Sequence, residues 1–349
     1  MAKSNLLPPK TVLITRFSAL GDVAMTIPIV YPVCEANPEV NFVFATRKAP
    51  AEMFVNCPKN LIVLGIDLNL YKGVKGPLKL ALNLHHRYNF DAMADLHDVL
   101  RTKLMRISLK LKKVNVAVID KGRKEKRQII KGERHEPVMT THERYRRVFG
   151  KLGLTGDKEF AGIFAGIDIP RSPIVPAKEV GAKWIAIAPF SQHQGKEYPL
   201  EMMEPVIDNL AYRQDCYLFL MGGGEKERKA LDPFKNRNHI VSLPHIKHSF
   251  ADELALLARC DVMVTMDSAN MHLASLVGLP VVSVWGATHP ACGFMGWHQS
   301  WDNAVQLPIE CRPCSVFGNK KCRYGDYHCM RNITPQMIID KVNILLGNE

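Results

Sequence analysis

Residues 264–290 read VTMDSANMHLASLVGLPVVSVWGATHP, in which a polar and charged turn separates two apolar runs. The run that ends at Asp267 predicts a strand, residues 268–270 predict the start of a helix, and residues 281–286 predict a second strand. A strand–helix–strand unit of this kind brings its two strands together in parallel. The stretch therefore predicts a parallel α/β sheet, with the polar turn at its carboxyl edge.

The same alternation of short apolar runs with helix-length segments covers most of the chain. Ten strands are predicted, at residues 11–16, 41–47, 61–67, 91–98, 114–120, 184–189, 216–223, 239–243, 262–267 and 281–286. Near-continuous apolar strands separated by helices are typical of parallel sheets that are covered on both faces. We therefore predict the α/β class, with two doubly wound, Rossmann-like domains.

The boundary between the domains is predicted where this periodicity stops. Residues 166–183 contain three prolines and show no helix or strand pattern. We place an N-terminal domain at residues 1–170, a linker at 171–183 and a C-terminal domain at 184–349, which includes the Cys-rich segment 311–329. Residues 333–347 begin with Ile-Thr-Pro and have apolar residues at helical spacing, which predicts a terminal amphipathic helix.

Composition narrows the class of protein and its partners. The chain has 349 residues, of which 47% are hydrophobic, and a formal net charge of +12. This composition excludes a disordered or fibrous protein. No run of about 18 uncharged apolar residues occurs, and residues 1–16 lack the apolar core of a signal peptide. We expect a cytoplasmic protein whose partner is anionic: nucleic acid, a phosphorylated metabolite or a membrane surface.

Positive charge is densest at residues 121–136, KGRKEKRQIIKGERHE. Such a run is either a solvated loop or an anion-binding segment. It contains no aromatic residue on which bases could stack, and the chain has no zinc-finger, homeodomain or RNP motif. These features disfavour nucleic acid as the partner.

The residues that follow each strand are the candidates for chemistry, because ligands of parallel α/β sheets bind beyond the carboxyl ends of the strands. After the first strand, Gly21 precedes Asp22, which either caps a helix or acts as a general base. After residue 189, Ser191 and Lys196 lie in a polar loop. The lysine there is either solvated or neutralises phosphate.

The strand predicted at 216–223 runs into a glycine-rich turn at residues 222–224. Glycines such as Gly223 let a ligand approach the backbone, and Glu225 or Glu227 can accept hydrogen bonds from ribose hydroxyls. The turn is neither a GxGxxG nor a Walker A motif, and no such fingerprint follows the first strand. A dehydrogenase, an epimerase and a P-loop ATP site are therefore disfavoured.

The turn at 267–272 offers the free amides of a helix start to an anion, ideally a diphosphate. Asp267 would repel phosphate unless its carboxylate faces donors, so this residue is expected to organise the loop. Ser268 and Ala269 begin the helix, and His272 either packs inside it or donates to a phosphate oxygen.

Four of the nine cysteines cluster near the C-terminus, at Cys311, Cys314, Cys322 and Cys329. Such a set can hold a structural zinc ion, form two disulfides or remain as reduced thiols. None of these alternatives makes the cluster catalytic.

Taken together, several motifs resemble glycosyltransferase family 9, the ADP-heptose:lipopolysaccharide heptosyltransferases. They are RFSALGD and TIP near the N-terminus, DLHDVLRT at 95–102, THERYRRVFGKLGL at 141–154, GKEYP at 195–199 and MDSANMHLASLVGLPVVSVWGATHP. Their order and spacing extend over nearly the whole chain. The resemblance implies a GT-B architecture, two Rossmann-like domains facing across a cleft, with the nucleotide sugar held mainly by the C-terminal domain.

The resemblance also implies roles for individual residues. Asp22 matches the family's proposed catalytic base, Lys196 its phosphate-binding lysine, and the turn from Asp267 to His272 its D-[ST]-G-x-x-H motif. Further donor contacts are then expected at Ser191, Gly223, Glu225, Glu227, Ser268 and Ala269, and acceptor contacts at Arg16, Ser18, Arg47, Arg101, Lys121 and Arg123. Ala269 replaces the usual glycine, and would be strained by about 1 kcal/mol if that position has a positive φ.

The implied reaction is inverting transfer of heptose from ADP-heptose to a lipid A-linked lipopolysaccharide core, with no cofactor required for catalysis. The implied partners are the nucleotide sugar and an anionic glycolipid, and the enzyme would contact the cytoplasmic face of the inner membrane. Two alternatives stay open: transfer of another nucleotide sugar to a different surface glycan, and a basic, non-enzymatic nucleic-acid-binding protein.

Overall fold

The computed structural model describes residues 8–347, and the chain divides into two compact units. The first unit comprises the residues up to Lys121 together with Thr141–Ile163, and the second comprises Gly122–Thr140 and the chain from Phe164 onward. The sequence predicts no signal peptide in residues 1–16, and the first seven of these residues lie outside the part of the chain that the structure describes.

The basic segment 122–140 packs within the second unit, although the sequence-based boundary assigned it to the first domain. Ile129 and Val138 form a small apolar cluster with Ala291 and Cys292. The backbone N–H of Val138 also donates to the carbonyl of Ala291, at 2.9 Å. These contacts join residues far apart in sequence, which is why the charge pattern alone did not reveal them.

The first unit is built on a five-stranded parallel sheet in the order β3-β2-β1-β4-β5. Its strands are β1 Thr11–Thr15, β2 Asn41–Arg47, β3 Leu61–Ile66, β4 Ala92–Asp95 and β5 Asn115–Val118. Leu13 of the central strand pairs with Val43 on one side and Met93 on the other, and all three side chains are at most 1% exposed. Burial on both faces explains the continuous apolar runs in the sequence.

The second unit contains a six-stranded parallel sheet in the order β11-β10-β9-β6-β7-β8. Its strands are β6 Lys183–Ala188, β7 Cys216–Leu220, β8 Ile240–Ser242, β9 Val262–Met266, β10 Val281–Val284 and β11 Ala304–Val305. The ten predicted strands are confirmed, and β11 was missed because two residues are too short to show a periodicity. The α/β class with two parallel sheets is thus confirmed.

Helices connect the strands. They are α1 Leu20–Ala24, α2 Ile27–Ala36, α3 Lys48–Ala51, α4 Lys75–Tyr88, α5 Leu100–Lys110, α6 Arg123–Ile130, α7 Thr141–Gly150, α8 Leu200–Tyr212, α9 Gly224–Ala230, α10 Phe250–Leu257, α11 Ala269–Leu276, α12 His328–Arg331 and α13 Pro335–Leu345. The predicted terminal helix is α13, and its N-cap Thr334 accepts a hydrogen bond from the backbone N–H of Met337. Within the described residues, no helix is long and apolar enough to cross a membrane.

Candidate active site

In each sheet, the strand order reverses at one point. This switch point lies between β1 and β4 in the first unit, and between β6 and β9 in the second. Loops that leave neighbouring strands in opposite directions open a crevice there, which is where ligands of α/β sheets bind. The candidate residues after β1 and β4, and after β6 and β9, therefore lie at the two positions most suited to binding.

Asp22 occupies the loop and helix that follow β1. Its Oδ2 atom lies 2.5 Å from Nη2 of Arg16 and accepts a hydrogen bond from the backbone N–H of Ala19, at 3.1 Å. The Asp22 side chain keeps 29% of its surface exposed, whereas that of Arg16 keeps 9%. Asp22 thus stabilises the start of α1 and still presents a carboxylate to solvent, so the capping and catalytic interpretations are compatible.

His97, which follows β4, is a site residue that the sequence analysis did not single out. The backbone N–H of Phe17 donates to its Nδ1 at 3.4 Å, and its Nε2 lies 3.3 Å from Oγ of Ser18. Burial, reinforced by the nearby cations Arg16 and Lys121, lowers the pKa of His97 to about 3. The ring is therefore neutral, and because Nδ1 accepts, Nε2–H donates to Ser18. The available signal was its position at the carboxyl end of the strand predicted at 91–98, which in the structure ends at Asp95.

The structure brings together only part of the predicted acceptor set. Arg47 Nε donates to the carbonyl of Phe17 at 2.7 Å, which places it beside Ser18. Lys121 Nζ donates to the carbonyl of Asp98 at 3.3 Å.

Two members of that set differ from the prediction. Arg101 donates to the carbonyl of Tyr71 at 2.9 Å, so its guanidinium is bound to the backbone that precedes α4. Arg123 is exposed at the start of α6 and belongs to the second unit, not to the first as the sequence predicted.

Lys196, Asp267 and Thr288 form a polar cluster at the switch point of the second sheet. Oδ2 of Asp267 lies 2.9 Å from Nζ of Lys196 and accepts a hydrogen bond from Oγ1 of Thr288, at 2.8 Å. The Asp267 side chain is only 5% exposed. The Asp267 carboxylate, which was expected to repel phosphate unless it faced donors, is thus bound by two of them. Lys196 was a predicted site residue, whereas Thr288 was not.

The turn into α11 has the geometry of a helix N-terminus with a side-chain cap. Oγ of Ser268 accepts from the backbone N–H of Asn270 at 3.3 Å and lies 3.1 Å from Oγ1 of Thr265. Ala269 is the first residue of α11 and has no positive φ, so the strain considered for a non-glycine residue there does not arise. His272 is 7% exposed within the helix.

The glycine turn after β7 is held by one of the two candidate glutamates. Oε2 of Glu227 accepts from the backbone N–H of Gly223 at 2.6 Å. Glu225 instead pairs with Arg228 on the same helix, at 2.8 Å. Ser191 is partly buried in the loop after β6. The structure therefore assigns Glu227 to the turn and Glu225 to the surface of α9.

The Cys-rich segment braces the loop that follows β10. The backbone N–H groups of Cys314 and Ser315 donate to the carbonyl of Ala287, at 3.0 and 3.1 Å. Gly318, with φ +75°, packs so closely on Lys196 that a Cβ atom there would lie 2.4 Å from Cγ of the lysine. Only glycine fits this contact.

Arg312 supplies the main polar contacts of this brace. Its guanidinium donates to the carbonyls of Gly286 at 2.7 Å, Leu307 at 2.8 Å and Thr288 at 2.9 Å, and to Oε1 of Gln306 at 2.9 Å. Burial lowers the pKa of Arg312 to about 10, which leaves it charged at neutral pH. Arg312 therefore positions Thr288, and through it the partner of Lys196.

None of the nine cysteines, all of which lie within the described residues, forms a disulfide. Burial raises the pKa of Cys329 to about 11. Sγ of Cys311 lies 3.3 Å from Nε2 of His328, whose Nδ1 lies 2.9 Å from Oδ1 of Asp326. Between residues 8 and 347, no three Cys, His, Asp or Glu side chains are arranged to hold a metal ion.

Comparison with known proteins gives a consistent picture. A family model described as glycosyltransferase family 9 (heptosyltransferase) matches residues 86–328. The chain is 23% identical over 338 residues to lipooligosaccharide heptosyltransferase 2 of Campylobacter jejuni, which covers 95% of this chain and 96% of that protein.

Two solved structures share the fold. A family 9 glycosyltransferase from Veillonella parvula has a TM-score of 0.71 at 16% identity, with 99% of both chains covered. Heptosyltransferase WaaC of E. coli, solved with ADP, has a TM-score of 0.64 at 18% identity, with 96% of this chain and 99% of that chain covered.

Proposed function

The chain belongs to glycosyltransferase family 9, and on that premise we propose that it is an inverting enzyme that moves a heptose from ADP-heptose to a hydroxyl of a lipid A-linked lipopolysaccharide core. The cluster of Lys196, Asp267 and Thr288 at the switch point of the second sheet is the observation that carries this proposal. A lysine beside the N-terminus of α11 suits the diphosphate of a nucleotide sugar.

The second unit would bind the donor and stabilise its leaving group. Lys196 and the amides at the start of α11 neutralise charge on the departing diphosphate, and His272 donates from within the helix. Because Lys196 is paired with Asp267, the diphosphate must either bind the lysine alongside Asp267 or displace Asp267 from it. In both cases Thr288 keeps Asp267 hydrogen-bonded. Proposed further donor contacts are Ser191, Gly223, Glu225, Glu227, Ser268 and Ala269.

The first unit would supply the base. Asp22 takes the proton from the acceptor hydroxyl, whose oxygen forms a bond to the anomeric carbon as the bond from that carbon to ADP breaks. Attack from the opposite face inverts the anomeric configuration. Arg16 acts by orienting Asp22, and the proposed acceptor contacts in this unit are Ser18, Arg47 and Lys121.

An acceptor linked to lipid A lies in a membrane, which determines where the enzyme would work. We place the protein in the cytoplasm, in peripheral contact with the inner membrane. The net charge of +12 supports this placement, because the cytoplasmic leaflet is anionic.

Calorimetric titration with ADP, UDP, GDP and CMP tests the donor. We expect ADP to bind most tightly, and Lys196→Ala to weaken ADP binding by about 10- to 100-fold, because a charge-assisted contact to phosphate is lost. Lys247→Ala, which removes an exposed lysine of the same unit away from the proposed donor contacts, serves as the control and should leave the Kd for ADP nearly unchanged.

Two results would redirect this proposal. Preference for another nucleotide would support a glycosyltransferase that uses a different nucleotide sugar and acts on a different surface glycan. Failure to bind any nucleotide, combined with tight and salt-sensitive binding of DNA, would instead support a basic nucleic-acid-binding protein.

The structural zinc predicted at Cys311, Cys314, Cys322 and Cys329 rests on one favourable feature, that all four thiols line the same cavity. Their present arrangement does not form a ligand set, so no step of the reaction is assigned to a metal. Metal content per chain decides the point: about one zinc, lost in Cys314→Ser, would establish the site. Four thiols that react fully in a zinc-free protein would contradict it.

A further inference from the structure

A cavity of about 980 Å³ lies entirely within the second unit. Its walls come from α6 and the residues after it, from the loop after β10 and from the Cys-rich segment. None of the residues proposed above as donor or acceptor contacts lines this cavity. Its size is that of a small-molecule or oligosaccharide site.

Positive charge dominates the cavity. Among its described lining residues a single carboxylate, Glu310, is accompanied by six Lys or Arg side chains: Lys131, Arg134, Arg312, Lys320, Lys321 and Arg323. Lys320 and Lys321 are exposed, and neither forms an ion pair with any residue that the structure describes. Lys131 is paired with Glu133 and Arg312 is bound to the loop after β10, so the two exposed lysines are the cations best placed to attract phosphate or carboxylate groups.

The cavity also offers aromatic surface. Tyr324 is 57% exposed, and its ring lies 5.1 Å from that of His328, centroid to centroid. Cζ of Arg323 lies 4.7 Å from the centroid of the Tyr324 ring. An exposed tyrosine provides an apolar face for the C–H groups of a sugar and a hydroxyl for its polar groups.

The loop after β10 connects the cavity to the proposed donor site. Ala287 lines the cavity, and its backbone N–H donates at 2.8 Å to the carbonyl of Gly195, the residue before Lys196. His289, on the far side of Thr288, lines it as well. A ligand in the cavity would therefore lie close to the bound diphosphate.

We propose that this cavity is a second acceptor subsite, which binds an anionic stretch of the acceptor glycan through its phosphate or carboxylate groups. The inference rests on the proposed function and extends acceptor binding to the second unit. It also gives the basic run at 121–136 a role, because Lys131 and Arg134 belong to it. A concave pocket with an exposed tyrosine fits a sugar chain better than the plane of a membrane.

Binding of a de-O-acylated lipopolysaccharide with a truncated core, measured by calorimetry without donor, tests the subsite. Lys320→Gln/Lys321→Gln should raise the Kd of this glycan about tenfold and leave the Kd of ADP unchanged, because two charged contacts to anions are lost. The matched control is Lys235→Gln/Lys247→Gln, which removes two exposed lysines of the same unit outside the cavity. It should change neither constant.

Other outcomes are equally decisive. An unchanged glycan Kd in the cavity variant, or no glycan binding by the wild type, would overturn the subsite even if heptose transfer is normal. Weaker binding to phosphatidylglycerol vesicles with an unchanged glycan Kd would make the patch a membrane contact and also overturn it. A wild type that binds the glycan but does not transfer heptose from ADP-heptose would contradict the proposed function and leave the subsite standing.

Discussion

Asp22→Asn is expected to lower kcat for heptose transfer by about 10²- to 10⁴-fold, because an amide cannot accept the proton of the acceptor hydroxyl. The change retains the shape of the side chain and an oxygen that can accept from Ala19, so the start of α1 should persist. The KM for ADP-heptose should change little, because the proposed donor contacts lie in the second unit. Steady-state release of ADP measures both constants.

Asp120→Asn is the matched control for this experiment. Asp120 lies in the same unit and also faces an arginine, with its Oδ2 atom 3.8 Å from Nη1 of Arg144, but its side chain is 80% exposed. Removing such a surface charge should alter kcat by no more than about twofold. An intact rate in Asp22→Asn would remove the proposed role of Asp22. A rate lost together with the far-UV circular dichroism of the native protein would assign Asp22 to folding.

Much of the fold could be predicted because local sequence carries its periodicity. The run NFVFATR predicted β2 with the bounds that the structure has, since a strand buried on both faces must be apolar almost throughout. The two-residue strand β11 has no such pattern, and it exists because it pairs with β10. The packing of segment 122–140 likewise depends on contacts with Ala291 and Cys292, which no local pattern encodes.

The candidate site, like the fold, could be predicted only in part. Asp22, Lys196 and Asp267 could be identified because each lies at or beyond the end of a predicted strand, and the carboxyl ends of parallel strands lie at one edge of the sheet. Which of them pair could not be predicted, because the contact between Lys196 and Asp267 requires β6 and β9 to be neighbours. Thr288 and Arg312 were missed for the same reason, since each acts on residues brought close only by the order of strands.

Arg312→Met is expected to lower the free energy of unfolding by about 2–4 kcal/mol, because three partly buried carbonyls lose a charged donor. The carbonyls of Gly286, Leu307 and Thr288 are the groups affected. Loss of this brace should also weaken ADP binding, since Thr288 holds the Asp267 carboxylate that pairs with Lys196. Arg312→Lys should restore only part of the loss, because an ammonium group cannot span the same acceptors. Urea unfolding and ADP titration measure the two effects.

Arg331→Met is the control that removes an exposed arginine instead of a partly buried one. Arg331 lies in α12 and pairs with Glu201 at 3.2 Å, but both side chains are more than half exposed. Such a pair contributes at most about 1 kcal/mol, so this variant should unfold almost like the wild type. Equal, small losses in both variants would mean that Arg312 does not hold the loop after β10. A large loss of stability with unchanged ADP affinity would separate the brace from donor binding and leave Thr288 without a role in positioning Lys196.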